Sequence, residues 1–177
     1  MSEERFRIVE LGAHHDASLG RFLAEFAAAG ESRIPGYFVP AHWLHARIVD
    51  ALAAWGRGEQ LEPDWVPCST RFLAVDDELV GLYSLRHRLS DQLRQYGGHI
   101  GYSVRPSARR RGYATILLRA GARQALELGI SRLLVTCDPA NAASIRVIER
   151  CGGVFSDESF SEALGRGVRR HWLPTQP

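Results

Sequence analysis

The chain has 177 residues, of which 45% are hydrophobic, and this length and composition predict a single globular domain over residues 1–177. A formal net charge of only +2 argues against a surface that binds polyanions by charge alone. The three cysteines are an odd number without a close pair, which favours a reducing compartment over a disulfide framework. The charged start, MSEERFRIVE, has no apolar signal segment, and we predict a cytoplasmic protein that does not enter the membrane.

The first part of the chain is predicted to hold one strand and two helices. Apolar residues alternate with charged ones at the start and then recur at helical spacing. Leu44 belongs to the apolar stripe of the second helix, and its aromatic residues are interpreted as core rather than as a cofactor site. The predicted elements are a strand over Arg5–Leu11, a helix over Asp16–Ala29 capped by Asp16 and ended by Gly30, and a helix over about Pro40–Trp55 ended by Gly56.

The rest of the chain alternates between strands and helices. TRFLAVDDELVGLYSLRH predicts a β-hairpin that turns at Asp76 and Asp77, and the polar, glycine-rich DQLRQYGG predicts a loop. A strand in HIGYSVRP, a helix over Gly112–Leu128 and a strand in SRLLVTCD predict a right-handed parallel crossover. A short helix in DPANAASIRVIERCGG and two final strands complete the chain. This order predicts a mixed α/β (α+β) domain, with one central mixed sheet of about six to seven strands flanked by about four helices.

The strand in HIGYSVRP has two different faces. Because side chains alternate along a strand, a titratable histidine shares its face with two small residues, which predicts open space beside it. One face carries Ile100, Tyr102 and Val104, and the other carries His99, Gly101 and Ser103.

Four arginines occur among the seven residues from Arg105 to Arg111, with no acid among them. They lie between a strand that ends at Pro106 and a helix that opens near Gly112, so free backbone N–H groups of a helix N-terminus meet guanidinium groups. Gly112 permits close approach of a ligand to the backbone, and the small side chain of Ala114 leaves space at the first turn of the helix. This arrangement predicts a site for a pyrophosphate.

The hexapeptide RRRGYA, Arg109–Ala114, resembles the acetyl-CoA motif of the GNAT superfamily of N-acetyltransferases, which is Arg or Gln, x, x, Gly, x, Gly or Ala. It follows a strand of the family's type and precedes a helix, a strand and the step Asn141-Ala142-Ala143-Ser144, which is similar to the family's Asn-x-x-Ser or Asn-x-x-Ala. The resemblance covers about Thr70–Phe155. It implies a GNAT-like sheet, with acetyl-CoA as co-substrate and direct acetyl transfer to a primary amine in a ternary complex.

The resemblance also implies which residues bind the co-substrate. Backbone groups of the strand before the motif bind the pantetheine arm where this strand splays from its neighbour, and the motif binds the pyrophosphate. Asn141 and Ser144 add polar contacts, although Asn141 alternatively serves only as a helix cap. The predicted acetyl-CoA-binding residues are Tyr102, Ser103, Val104, Arg109, Arg110, Arg111, Gly112, Tyr113, Ala114, Asn141 and Ser144.

His99 is the predicted catalytic base, because it stands where the family often has a glutamate and its ordinary pKa is about 6.5. The alternative is a hydrogen-bonded histidine without a catalytic role, with the amine proton passing through a water relay. The family's usual thiolate-protonating tyrosine aligns with Ile148, a departure that leaves the general acid open.

Several features allow two interpretations. Cys137 is either an acyl-accepting nucleophile or an inert buried cysteine, with the second favoured. The segment Arg86–Arg88 either receives an acidic group of the acceptor or is solvated charge. No metal site is predicted, because the histidines lack further ligands at suitable spacing.

The acceptor is predicted to be an amine of a small molecule or a peptide, and a homodimer is compatible with the sequence. Two rival functions stay open. One is a CoA-binding sensor or interaction module without catalysis. The other is a nucleic-acid-binding patch at Arg105–Arg111. It ranks last because the chain lacks the alternating aromatic and basic residues of single-strand binders, so no nucleic-acid partner is predicted.

Overall fold

The computed structural model describes residues 6–31, 33–40 and 42–176, and its seven strands form one sheet. The strands are β1 Phe6–Val9, β2 Cys68–Val75, β3 Glu78–Arg86, β4 Ile100–Val104, β5 Arg132–Cys137, β6 Val154–Ser161 and β7 Arg166–Pro174. The α-helices are α1 Asp16–Ala28, α2 His45–Arg57, α3 Tyr113–Glu127 and α4 Ala142–Arg150.

The sheet has the strand order β1-β2-β3-β4-β5-β7-β6. Strands β4 and β5 are parallel because α3 carries the chain back between them, while the other neighbouring strands are antiparallel. The predicted mixed α/β fold class and the parallel pairing of these two strands are therefore confirmed.

Helices cover both faces of the sheet, and each face has its own apolar core. On one face α1 and α2 pack against β2 and β3, and on the other α3 and α4 pack against the centre of the sheet. Strands β2 and β3 are buried almost throughout, as expected for strands that are covered on two sides. The first core contains Phe22, Phe26, Trp55, Phe72, Leu79 and Leu82, and the second contains Tyr83, Leu85, Ile100, Leu117, Leu133 and Ile148.

The predicted β-hairpin is formed by β2 and β3. Asp76 and Asp77 connect them with φ angles of 47° and 68°, so both residues are left-handed. A two-residue turn of this kind matches the twist of the strands that it joins, and aspartate tolerates the conformation. The hairpin prediction is confirmed.

The predicted start and end of the second helix are wrong. Leu44 is extended with ψ 151° and its side chain is 80% exposed, and α2 begins only at His45. The reason is a turn closed by a hydrogen bond from Trp43 N to the Pro40 carbonyl, after which the Trp43 ring packs on Trp55. Part of the predicted start, Ala41, lies outside the described residues. At its other end α2 runs past Gly56, because Gly58 has the left-handed φ of 79° that ends a helix.

Smaller differences occur elsewhere. The predicted first strand began at Arg5, which lies outside the described residues, and the observed β1 is Phe6–Val9. Asp16 is the first residue of α1 rather than its cap, because a short 3-10 turn over Ala13–His15 precedes it. The segment predicted as a loop contains a π-helical turn, Leu93–Gly97, closed by a hydrogen bond from Gly98 N to the Leu93 carbonyl.

Candidate active site

Strands β4 and β5 separate soon after they meet. Their register contains a single pair, Ile100 with Val135, although β4 continues to Val104. At the near end the strands are held by hydrogen bonds of 2.8 Å from His99 N to the Leu134 carbonyl and from Leu134 N to His99 Nδ1. The result is a gap that opens along β4 in the middle of the sheet.

Backbone groups of β4 point into this gap. In an antiparallel pair only alternate residues bond to the partner strand. Arg86 N donates to the His99 carbonyl and Arg105 N donates to the Val80 carbonyl, so the odd-numbered residues of this segment bond to β3. The N–H and C=O groups of Tyr102 therefore face the gap, whereas those of Ser103 face β3. Of the three residues predicted to bind the pantetheine arm, Tyr102 and Val104 have the required backbone direction and Ser103 does not.

A cleft of about 700 Å³ passes through this gap and reaches both faces of the sheet. On the face of α3 and α4 it is lined by Tyr102, Cys137, Asn141 and Ser144. On the face of α1 and α2 it is lined by a different set, which includes Arg33, Phe38, Asp64, Trp65 and Arg86. A molecule bound along the first face would thus meet a second molecule bound on the other.

Tyr102, Asn141 and Ser144, three of the predicted co-substrate residues, come together at the first face. The Tyr102 hydroxyl lies 2.9 Å from Ser144 Oγ, and Asn141 Oδ1 accepts a 3.0 Å hydrogen bond from Ser144 N. Asn141 therefore caps α4, which leaves its NH₂ group for other partners. Burial raises the pKa of Tyr102 to about 12, so its hydroxyl stays protonated at neutral pH.

Gly112 is the N-cap residue of α3. It has a left-handed φ of 84°, and no heavy atom lies within 4 Å of the position that a Cβ would take. The first bonds inside the helix run from Thr115 N and Ile116 N to the Gly112 carbonyl. A helix start presents backbone N–H donors to anions, and Gly112 brings no capping side chain to this one. Open space in front of these donors is the geometry that a phosphate group needs.

The arginines of the motif are not equivalent. Arg109 makes two 2.7 Å bonds to the carboxylate of Glu31, and its Nε donates to the Val104 carbonyl. Arg109 thus links the loop after α1 to the end of β4, and it would have to give up its ion pair with Glu31 to contact a phosphate. Arg110 and Arg111 are exposed at the same turn, and Arg110 has a left-handed φ of 65°.

The remaining motif residues support the helix. Tyr113 is 4% exposed and packs into the core between α3 and the sheet, where the partly buried Ala114 joins it. Neither these residues nor Arg109–Gly112 line the cleft in the part of the chain that the structure describes. Their proposed contact with co-substrate is therefore at the surface of the protein, beyond the cleft.

His99, the predicted base, is buried just before β4. Its Nδ1 accepts the N–H of Leu134, so a neutral ring must carry its proton on Nε2 and has no lone pair left for the proton of an amine. Burial, together with the positive charges of Arg94 and Arg86, lowers the pKa of His99 to about 4. The expected open space is also filled, because a Cβ on Gly101 would lie 2.9 Å from Gly36 N. This arrangement speaks against the role of base, which stays a prediction.

His99 is expected to make the protein less stable in acid. The folded state has a pKa of about 4 and the unfolded state one of about 6.5, so the unfolded chain binds the proton first as the pH falls. Between pH 7.5 and pH 4.5 this residue should therefore remove about 2.5 kcal/mol from the free energy of unfolding.

Denaturant unfolding at the two pH values measures this effect in the wild type and in His99→Asn. Asparagine keeps an acceptor for Leu134 N but does not titrate, so we expect the variant to lose this part of the pH dependence. The exposed His42 offers the control, and His42→Asn should keep the wild-type slope. Equal slopes in all three proteins would contradict the buried, neutral histidine.

Two further sequence interpretations can be compared with the geometry. Cys137 lines the cleft, but burial raises its pKa, which lowers the thiolate fraction that an acyl-accepting nucleophile needs. Ile148 is fully buried in the core beneath α4, so the position of the family's usual acid holds an aliphatic side chain. The described part of the chain contains no group of three His, Cys, Asp or Glu residues placed to hold a metal ion.

Few local sequence signals indicate the second face of the cleft. Its aromatic residues come from a loop before α2, from the end of α2 and from the loop before β2, so nothing local brings them together. The Trp65 ring lies 5.0 Å from that of Trp55 and 6.3 Å from that of Phe38. Trp55 was expected only as core, and it is both buried and part of the cleft wall.

Comparisons with known proteins agree with this architecture. The model of the GNAT acetyltransferase domain family matches residues 12–154. No curated protein matches the chain in sequence. Among the described residues, none of the helices has the length and hydropathy to cross a bilayer.

Solved acetyltransferases share the fold. The Salmonella typhimurium enzyme that modifies the N-terminal serine of a 50S ribosomal subunit protein superposes with a TM-score of 0.67 at 14% identity, over 96% of this chain and 94% of that one. The microcin self-immunity acetyltransferase MccE, in complex with acetyl-CoA and AMP, superposes with a TM-score of 0.68 at 12% identity, over 97% and 93%. RimL, a ribosomal α-N-protein acetyltransferase in complex with coenzyme A, gives 0.66 at 15% identity, over 96% and 93%.

Proposed function

Since the chain belongs to the GNAT family of acetyltransferases, we propose that it moves the acetyl group of acetyl-CoA directly to a primary amine in a ternary complex. The observation that carries this proposal is the gap between β4 and β5, which joins the two faces of the cleft. A thioester on the face of Tyr102 and an amine on the opposite face would approach each other there. MccE and RimL, whose structures contain acetyl-CoA or coenzyme A, support the choice of donor.

The donor would be held at two places. Its pyrophosphate would accept hydrogen bonds from N–H groups at the start of α3, in the open space before Gly112, with Arg110 and Arg111 beside it. Its pantetheine arm would pair with the outward backbone groups of Tyr102 and with the N–H of Val104, whose carbonyl accepts from Arg109, in place of the strand that has splayed away. These assignments follow from the direction of the backbone on β4 and from the space at the helix end.

The transfer step would use the same backbone. The amine nitrogen attacks the carbonyl carbon, a backbone N–H in the gap stabilises the oxyanion, and the C–S bond then breaks with its electrons on sulfur. A thiol with a pKa of about 8.5 leaves as thiolate and takes a proton from solvent, which is compatible with isoleucine at position 148. Because His99 Nδ1 is occupied, we propose that the amine proton passes to water in the open cleft rather than to this ring.

The second candidate is a CoA-binding module without transfer. Its support is specific, since Ile148 replaces the usual acid and His99 is held by Leu134. This candidate predicts binding of acetyl-CoA without release of CoA in the presence of any amine.

A turnover experiment separates the two candidates. Saturating acetyl-CoA is mixed with amino acids, polyamines, peptides and aminoglycosides, and release of the CoA thiol is followed spectroscopically. We expect release above the hydrolysis background with at least one amine, together with mass-spectrometric evidence of the acetylated product. His99→Asn should keep at least about a tenth of the rate, because general bases contribute more than this factor when they act. Binding without turnover would favour the module.

A further inference from the structure

Arg86 holds a half-buried positive charge at the wall of the cleft. It is the last residue of β3, and its Nη1 donates 3.2 Å hydrogen bonds to the carbonyls of Gly97 and Gly98. Its Cζ lies 5.1 Å from the centre of the Phe38 ring. Within residues 6–31, 33–40 and 42–176 no carboxylate forms an ion pair with it, and burial lowers its pKa. A guanidinium has five donors, so Nε and Nη2 are available to a ligand.

A second arginine faces the same space. Arg33 is exposed, lines the cleft and lowers the pKa of Arg86 by repulsion. Asp64 is the acid on this wall, whereas Asp138 at the far end is paired with Arg166 at 2.8 Å. Among the described residues that line this end of the cleft, two cations face one acid, which leaves this end positive. Like charges that face one pocket are costly unless an anion lies between them.

Apolar surface surrounds these charges. Phe38 and Trp65 form an edge-to-face pair with centroids 6.3 Å apart, and both side chains are more than a third exposed. The flat faces suit the hydrocarbon or aromatic body of a small molecule. A solvated surface arginine would need no such enclosure.

Resting on the proposed function, we infer that the acceptor is an amine that also carries a carboxylate, and that Arg86 and Arg33 bind this carboxylate. Arg86 supplies the fixed part of the site, since two carbonyls hold its guanidinium in place, and the exposed Arg33 supplies a second contact. The acceptor body then lies against Phe38 and Trp65, and its amine reaches the gap at Gly101 and Tyr102. The substrate class is the amino carboxylic acids.

The experiment compares each amino acid with its own amide, which lacks the negative charge. Both are titrated calorimetrically into the wild-type complex with CoA. We expect the best-bound amino acid to bind on the order of tenfold more tightly than its amide. Arg33→Gln should remove most of this preference without unfolding the protein, because its side chain is exposed. Arg88→Gln, an exposed arginine two residues past Arg86 that does not line the cleft, is the matched control and should leave it unchanged.

A second variant tests Arg86 itself. Arg86→Lys keeps a cation near the carbonyls of Gly97 and Gly98 but loses the forked donors, so the acid-to-amide ratio should fall while CoA affinity stays the same. Phosphoethanolamine is compared with ethanolamine in the same way, and a phosphate preference larger than the acid-to-amide preference would overturn the choice of a carboxylate. No acid-to-amide preference in the wild type, or an equal preference in Arg33→Gln, overturns the inference. Failure of the wild type to bind CoA would instead overturn the proposed function.

Discussion

Gly112→Leu should raise the dissociation constant of CoA by at least about a hundredfold, which corresponds to about 2.7 kcal/mol. The glycine has a φ of 84° and nothing within 4 Å of the added Cβ, so a leucine side chain would occupy the space in front of the α3 donors. The left-handed conformation should cost about 1–2 kcal/mol of stability, which the fold can bear. Calorimetry gives the affinity, and thermal unfolding gives the stability.

The other end of α3 provides the control for this variant. Gly129 also has a left-handed φ, 76°, and also has nothing within 4 Å of an added Cβ. Gly129→Leu should therefore lose similar stability and keep CoA affinity within about twofold of the wild type. If the two variants bound CoA equally well, the helix start would not be the pyrophosphate site.

Gly101→Ala should push the loop that contains Pro35 and Gly36, and that lines the cleft, away from β4. The added Cβ would lie 2.9 Å from Gly36 N and 3.2 Å from Gly36 Cα, and both are backbone atoms that cannot rotate away. The loop is also held by a 2.8 Å hydrogen bond from Ser103 Oγ to the Pro35 carbonyl, so the whole segment must shift. Overpacking of this kind costs about 1–3 kcal/mol, and we expect a fall in melting temperature of about 2–12 °C.

The same variant should affect the two substrates differently. The displaced loop carries Arg33 and Phe38, so KM for the amine should rise at least about tenfold, whereas CoA affinity should stay close to that of the wild type. Gly20→Ala is the control, since this α1 glycine has nothing within 4 Å of its added Cβ and should gain about 0.5–1 kcal/mol. Unchanged stability and unchanged KM in Gly101→Ala would show that the loop does not lie on β4.

The part of the fold that could be predicted from sequence is the part with local causes. The two aspartates of the β2–β3 turn, the glycine before α3 and the glycine after it each adopt a left-handed conformation that their residue types favour. Apolar periodicity predicted β4, α3 and β5, and the pyrophosphate motif lies between the first two of these elements. The single pair between β4 and β5 agrees with the splay that the family resemblance implied.

What could not be predicted depends on residues far apart in the chain. Arg105–Arg111 has no acid within it, but Glu25 of α1, Glu31 of the following loop and Glu78 of β3 reach it, so Arg105 and Arg109 are ion-paired. Likewise, the glycines of β4 suggested open space, and a loop closes on them instead. Positive charge at Arg86 was visible in the sequence, but its half-buried position, without a carboxylate partner among the residues that the structure describes, was not.

A crystal structure of the protein with CoA tests the central claim most directly. We predict pyrophosphate oxygens at about 2.7–3.2 Å from backbone N–H groups between Arg110 and Thr115, with the pantetheine arm along β4 beside Tyr102. Density for the pyrophosphate at any other site, or a pantetheine arm that does not enter the gap between β4 and β5, would contradict the account.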